Sequence, residues 1–373
     1  MTLKNSLSRN VLILGAVSFL NDASSELIGA LLPLFITQLG GGALSVGLLG
    51  GLREALSNFL KILSGYLSDR VGRKKVFVIA GYGISALFKL AIPFSKTPFQ
   101  VIAVSSLERL GKGIRTAPRD AILSLSGEVE RSFSIHRALD TFGALTGVIL
   151  ALLLTSALPV RESLLIGALI SFLSLPLLLF LKEPRGESKG RKREKKTVKA
   201  EFKKFLLAST LFSLSSVSFM FFILKGKEVG GSTETALLLY GLYNLVYATT
   251  SLFFKKLSEE LSPFKALSLG YLTFSLYLLS LGLSNSIPLL VFSAFLFGFS
   301  SGITDPGQRA AVGLLTGRSK RGTYYGLFHF LSGSAILTGN LLIGWAWELY
   351  QSTALIFLAV LSLAAALITY RIR

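Results

Sequence analysis

Gly65-Tyr-Leu-Ser-Asp69-Arg70-Val-Gly72-Arg73-Lys74 is a short charged joint between two long apolar runs. The run before it, Ala43–Ser68, and the run after it, Lys75–Phe94, each reach the roughly 20 mostly apolar residues that a membrane helix needs. Gly65 lets neighbouring helices approach closely, and Gly72 permits a tight turn. Asp69, Arg70 and Arg73 can pair across the ends of adjacent helices. The joint therefore reads as the link between two membrane spans.

Working outward, the same pattern repeats along the chain. Val11–Leu39 precedes the pair, and Phe99–Leu125, Ser132–Ala157 and Ser163–Leu181 follow it. A highly charged stretch, Lys182–Lys204, comes next. After it lie Phe205–Leu224, Thr235–Phe254, Ala266–Leu283, Ile287–Leu315, Gly322–Trp347 and Thr353–Tyr370. The reading is an all-α membrane protein of twelve helices in two six-helix pseudo-repeats. Its parts are an N-terminal bundle over residues 1–181, a basic linker over 182–204 and a C-terminal bundle over 205–373. The first span is too long for a cleaved signal peptide and has no small-residue cleavage site.

Composition agrees. Only 16% of the 373 residues are charged and 51% are hydrophobic. Soluble domains average about 25% charged, so this chain is too poor in charge to cover a water-facing surface. The absence of Cys excludes disulfides and thiolate metal sites. The formal charge of +19 would point to a polyanion if it were spread evenly. It is not. With the N-terminus inside, 26 of the 39 Lys and Arg fall on the cytoplasmic side, 4 outside and 9 within spans. That bias fits the positive-inside rule with both termini in the cytoplasm. The expected location is the inner (cytoplasmic) cell membrane. The linker, with Arg191-Lys-Arg-Glu-Lys-Lys196, is expected to touch anionic lipid heads. No nucleic-acid partner, metal or cofactor is expected. No Gly-rich phosphate loop suggests ATP, and the chain does not read as an enzyme.

The two halves echo one another. Lys256-Leu-Ser-Glu259-Glu260 joins spans eight and nine, about 190 positions after the first joint. Gly113-Ile-Arg-Thr-Ala-Pro-Arg119-Asp120 in span four is matched by Gly302-Ile-Thr-Asp305-Pro-Gly-Gln-Arg309 in span ten. Parallel six-helix repeats put a substrate site between the halves, near the midplane.

On these residues the chain resembles the major facilitator superfamily. Gly65–Lys74 matches that family's loop between helices two and three. Arg109-Leu-Gly-Lys112-Gly113 resembles its helix-four signature, with Lys112 in place of the usual Gln. Asn21-Asp22-Ala-Ser24-Ser25-Glu26 and Gly111–Asp120 look like a branch of largely uncharacterised archaeal and bacterial permeases. The resemblance implies secondary active transport by alternating access. It also implies a latch at Gly65, Asp69, Arg70, Gly72 and Arg73, with Arg73 meeting Asp120. The helix-five antiporter signature is incomplete, since Val148 stands where that signature has Pro.

A charge at the centre of a spanning helix costs roughly 2.5–3.5 kcal/mol on insertion scales, so such charges have a use or a partner. Asp22 and Glu26 lie four apart on one face of span one. Held close in a low dielectric, they would share one proton, and this makes them the proton-coupling candidates. A static ion pair with Arg109 or Lys112, or a cation site, is the competing reading. Arg109 and Lys112 are expected to tune the carboxylates. On span four Glu108, Lys112, Arg115 and Arg119 fall at i, i+4, i+7 and i+11, one stripe with Arg109 beside it. Its inner half, Arg115 and Arg119 with Asp120, suits gating, as do Asp305 and Arg309. Lys89 alone is expected to snorkel away from the interior. Arg53, Glu54, Arg137 and Asp140 are candidate substrate contacts. So are Tyr240, Tyr243, Asn244 and Tyr247, which share one face of span eight, although ordinary helix packing explains that face equally well. The expectation is a monomeric transporter, exporting a small organic solute against protons. An organic-anion or phosphate-ester transporter or exchanger, and a non-transporting membrane receptor or scaffold, are the alternatives.

Overall fold

The computed structural model describes residues 9–71, 73–125, 129–183, 200–316 and 321–372. Helices α1 (Arg9–Gln38), α2 (Ala43–Val71), α3 (Lys74–Ala91), α4 (Pro98–Leu125) and α5 (Val129–Ala157) are spans one to five. Span six is α6 (Val160–Leu173) continued by α7 (Leu175–Leu179). Span seven is broken into α8 (Ala200–Ser215) and α9 (Phe219–Gly230). Helices α10 (Thr233–Leu261), α11 (Pro263–Gly282) and α12 (Ile287–Leu315) are spans eight to ten. Spans eleven and twelve run together as α13 (Arg321–Tyr370), kinked where Tyr350 leaves helical geometry (φ −135°, ψ 31°).

Among the described residues, 9 helical stretches are long and apolar enough to cross a membrane. The twelve spans exceed this number for physical reasons. Helices α2 and α4 are long enough but carry the interior charges, and α13 holds two spans in one stretch. Large apolar side chains such as Phe99, Leu252 and Leu349 are exposed, as suits a surface solvated by lipid.

The chain divides into two compact units. One comprises Met1–Phe35 and Leu56–Gly190, the other Ile36–Ala55 and Arg191–Arg373, so the division runs through α2. In the first unit a core of Val11, Leu14, Val17, Val78, Tyr82, Ile122, Leu123, Leu178 and Leu181 joins α1, α3, α4 and α7. Small residues set the helix spacing. A Cβ on Gly111 would lie 2.5 Å from the Gly81 carbonyl oxygen and 2.6 Å from the Ser85 nitrogen, so α3 and α4 meet backbone to backbone. Gly143 and Gly147 of α5 are pressed in the same way onto the Phe19 and Ala23 carbonyls of α1.

Three local features depart from the sequence reading. Lys225 and Lys227 lie inside α9 rather than in an outer loop, and Lys225 Nζ donates to Gln351 Oε1 at 2.7 Å. Ala200–Lys204 is already helical, because the apolar face of span seven begins with the buried Phe202. The start of the linker is fastened. Glu183 accepts from the Lys74 and Lys75 amides at 2.7 and 2.8 Å, capping α3 with a carboxylate. Asn10 exchanges hydrogen bonds with the backbone of Lys182. The basic run Arg191–Lys196 lies outside the described residues.

The break in span seven is a structural feature in its own right. A helix interruption inside a membrane leaves backbone groups that must be satisfied within the protein. Asn340 of α13 does this. Its Oδ1 accepts from the Ser218 amide, and its Nδ2 donates to the Ser216 and Ile336 carbonyls.

Candidate functional site

The interior charges of the first unit form a network across α1, α3, α4 and α5. On α1, Asn21 Nδ2 donates to Asp22 Oδ1 at 3.2 Å. The carboxyl that meets Asp22 from another helix is Asp140 of α5. Asp140 Oδ2 lies 3.7 Å from His136 Nδ1. Its other oxygen, Oδ1, is buried and has no hydrogen-bond partner among the described residues. Two carboxyl groups thus lie close enough to act on one another inside the unit. Lys112, Arg115 and Arg119 of α4 are close enough to act on them electrostatically, as is Lys89 of α3. Glu26, one turn beyond Asp22, packs beside Gly147.

The α4 stripe is directed largely toward α3. Arg115 is buried, with its guanidinium stacked 4.3 Å over the Tyr82 ring and Nη1 donating to Ser85 Oγ at 2.7 Å. Ser85 Oγ in turn contacts the Glu108 carbonyl and carboxylate. Glu108 and Arg109 are both buried and in ionic contact at 3.4 Å. Half-buried Lys112 follows on the same helix. Arg119 Nε and Nη2 both donate to Asp120 Oδ1 at 3.0 Å, and Nη1 reaches Ser18 Oγ. The Arg73–Asp120 pairing implied by the resemblance is not formed among the described residues. Arg119 takes Asp120, while Arg73 is exposed just before α3, and Arg70 is exposed at the end of α2. Gly65 and Asp69 lie in the last turns of α2, and Gly72 lies outside the described residues.

Lys89 corrects the sequence reading. It does not snorkel. It is 1% exposed, and its ammonium donates into α1, to Asn21, Ser24 and Ser25. Depth along a helix says how far a lysine must reach but not which face it occupies. Here that face meets three polar side chains of α1. His136 and Ser85 were also missed, because a lone His or Ser on an apolar span carries no spacing signal.

The other candidates, Arg137 apart, fall in the second unit. Arg53 is buried and Glu54 half-buried on α2, and Arg137 is exposed on α5 of the first unit. Tyr240 is buried, stacked on Phe219 at 5.0 Å, and Asn244 donates to the Tyr240 carbonyl of its own helix. Tyr243 stacks on Phe297 at 4.1 Å and runs parallel to Tyr247. Tyr247 differs from the rest, because its hydroxyl donates to Asp305 Oδ2 at 3.2 Å. Asp305 Oδ1 accepts from Arg309 at 2.8 Å, and Tyr325 donates to the Arg309 carbonyl. The face of α10 is therefore packing at its start and polar at Tyr247.

Comparison with known proteins bears on what this arrangement serves. The family model of the Major Facilitator Superfamily matches residues 14–226 and 205–373. An uncharacterized MFS-type transporter of Methanocaldococcus jannaschii is 39% identical over 97% of this chain and 94% of its own length. The multidrug resistance protein MdtH of Blochmanniella pennsylvanica is 24% identical over 84% of this chain and 79% of its own. Among solved structures, the nucleoside transporter NupG superposes with a TM-score of 0.79 at 16% identity, covering 97% of this chain and 98% of that one. The twelve-span plan and the repeated family match give the conclusion that the chain belongs to the Major Facilitator Superfamily, as a multi-pass membrane transporter and not an enzyme.

Proposed function

We propose that the protein is a secondary active transporter that exports a small organic solute against protons by alternating access. The observation that supports this reading is the closeness of two carboxyls, Asp22 and Asp140, in the interior of the first unit. Two such groups close together in a low dielectric hold one proton between them. Glu26 sits one turn along α1, where a proton could pass on, while Arg109 and Lys112 supply positive charge. Tyr247, Asp305 and Arg309 of the second unit are the substrate-facing or gating groups, with Tyr243 beside them. The likeness to a multidrug resistance protein favours an organic solute over an inorganic ion. Both termini are assigned to the cytoplasm on the charge bias.

The organic-anion alternative has less support. Lys89, Arg115 and Arg119 are each committed to protein oxygens, which leaves fewer cations to bind an anion. A receptor or scaffold role has no support beside a transporter family. A thermal-shift screen of amphipathic amines, nucleosides and carboxylates on the purified protein tests the solute class. Stabilisation by neutral or cationic organics fits the proposal. Stabilisation by carboxylates or phosphates alone, lost in Arg109→Ala, would favour anion exchange.

A further inference from the structure

Lys89 is a buried charge that the transport reading leaves unused. Its ammonium touches four oxygens, all from little more than one turn of α1. Asn21 O and Asn21 Oδ1 lie at 3.2 Å, Ser24 Oγ at 3.1 Å and Ser25 Oγ at 2.8 Å. None is a carboxylate oxygen, and among the described residues no acidic side chain forms an ion pair with Lys89. Glu108 and Asp22 act on it only from further away. An ammonium has three N–H donors, so four acceptors require one of them to be shared. Four acceptors on three donors describe a cage around a charge rather than a set of directed bonds. Carbonyl and hydroxyl oxygens converging on a unit positive charge are the donors that hard cations select.

The cage is held from both sides. Gly81 and Gly111 bring α3 and α4 into backbone contact below Lys89. Ser85, one turn before Lys89, is fixed by Arg115 and Glu108. On the α1 side, the Asn21 amide is used twice, with Oδ1 taking the ammonium and Nδ2 donating to Asp22. Isolated buried charge is expensive, so an arrangement that gives it only neutral ligands is one that solvates it.

We propose that Lys89 is a tethered monovalent cation. Its ammonium fills an oxygen site on α1 of the alkali-metal and primary-ammonium class, and its bond to Asn21 Oδ1 turns the Asn21 amide so that Nδ2 faces Asp22. Because the cation arrives on a side chain, the site is occupied throughout transport and draws no ion from solution. Shortening Lys89 leaves the oxygens in place around a cavity that a small free cation can enter. The inference stands whether or not Asp22 carries the coupling proton.

The test uses the full chain in detergent micelles. Thermal unfolding of wild type and Lys89→Ala is followed while potassium, methylammonium or n-propylammonium chloride is added. N-methylglucamine chloride at equal ionic strength is the bulky control. The variant is expected to melt several degrees below wild type. It should regain most of that loss, saturably, with one or more of the small cations and none with the control, while wild type responds equally to every salt. A variant that melts with wild type, or that responds equally to every salt or to none, overturns the proposal. If Lys89→Ala does not fold, reductive methylation of the wild type with peptide mass spectrometry decides. Lys89 should stay unmodified in native micelles while exposed Lys255 is fully dimethylated. Modification of both at similar rates overturns the cage.

Discussion

Asn340 bridges the two ends of the break in span seven, accepting from the Ser218 amide at 2.8 Å and donating to the Ser216 carbonyl at 3.1 Å. The side chain is fully buried. Replacing it by Leu leaves a backbone donor and acceptor without their protein partner, at about 1–3 kcal/mol for each group. Asn340→Leu should therefore melt well below wild type. Asn340→Asp keeps the acceptor for Ser218 and should fall between the two. Calorimetric unfolding in micelles measures both. Equal midpoints for all three proteins would mean that the break is not held by this residue.

The glycine contact between α3 and α4 makes a sharper prediction. A methyl group on Gly111 meets backbone atoms of α3, which cannot rotate away, so Gly111→Ala should cost about 1–3 kcal/mol through overpacking. Gly83 lies on the same α3 with nothing within 4 Å of an added Cβ. Gly83→Ala should be neutral or gain up to about 1 kcal/mol from helix propensity. The difference in melting temperature between the two variants checks the packing directly.

Glu183 caps α3 through two amides, at 2.7 and 2.8 Å. Removing a helix cap costs about 0.5–2 kcal/mol, and a charged cap also interacts with the helix dipole. Glu183→Ala should lower the midpoint, and the gap from wild type should narrow as salt is raised, because the group is exposed. A gap independent of salt would assign the effect to packing instead.

In the second unit, Tyr243 and Tyr247 should separate packing from binding. Tyr243 is half-buried and stacks on Phe297, so Tyr243→Ala should destabilise by about 2–3 kcal/mol, less than truncation of a fully buried aromatic. Tyr247→Phe removes only the hydroxyl that donates to Asp305, at about 0.5–1.5 kcal/mol. If Tyr247 contacts substrate, Tyr247→Phe should weaken ligand-induced thermal stabilisation while changing the unliganded midpoint little.

Much of the architecture was legible from the chain because it follows from solvent. Apolar length, the joint at Gly65–Lys74 and the placement of Lys and Arg are all responses to a bilayer, and they specify spans without reference to packing. What was not legible depends on the direction in which a side chain points. Lys89 has the depth of a residue that could snorkel, and only the α3 face that meets Asn21, Ser24 and Ser25 turns it inward. Asp22 and Glu26 are close in sequence by helical spacing, whereas Asp22 and Asp140 are brought close by α1 and α5 touching at glycines. Helices α4 and α12 run through Pro118 and Pro306. The interruption falls at Ser216–Ser218, where the signal is a partner 122 positions away.

The central claim is that the proton used in transport binds between Asp22 and Asp140. The most direct test is proton movement in proteoliposomes holding a trapped pH dye, with an imposed pH gradient and a solute chosen from the thermal-shift screen. Wild type should dissipate the gradient when the solute is added. Asp22→Asn and Asp140→Asn should each abolish that flux while still binding the solute and folding normally. Solute-dependent proton flux at the wild-type rate in the double variant would contradict the account.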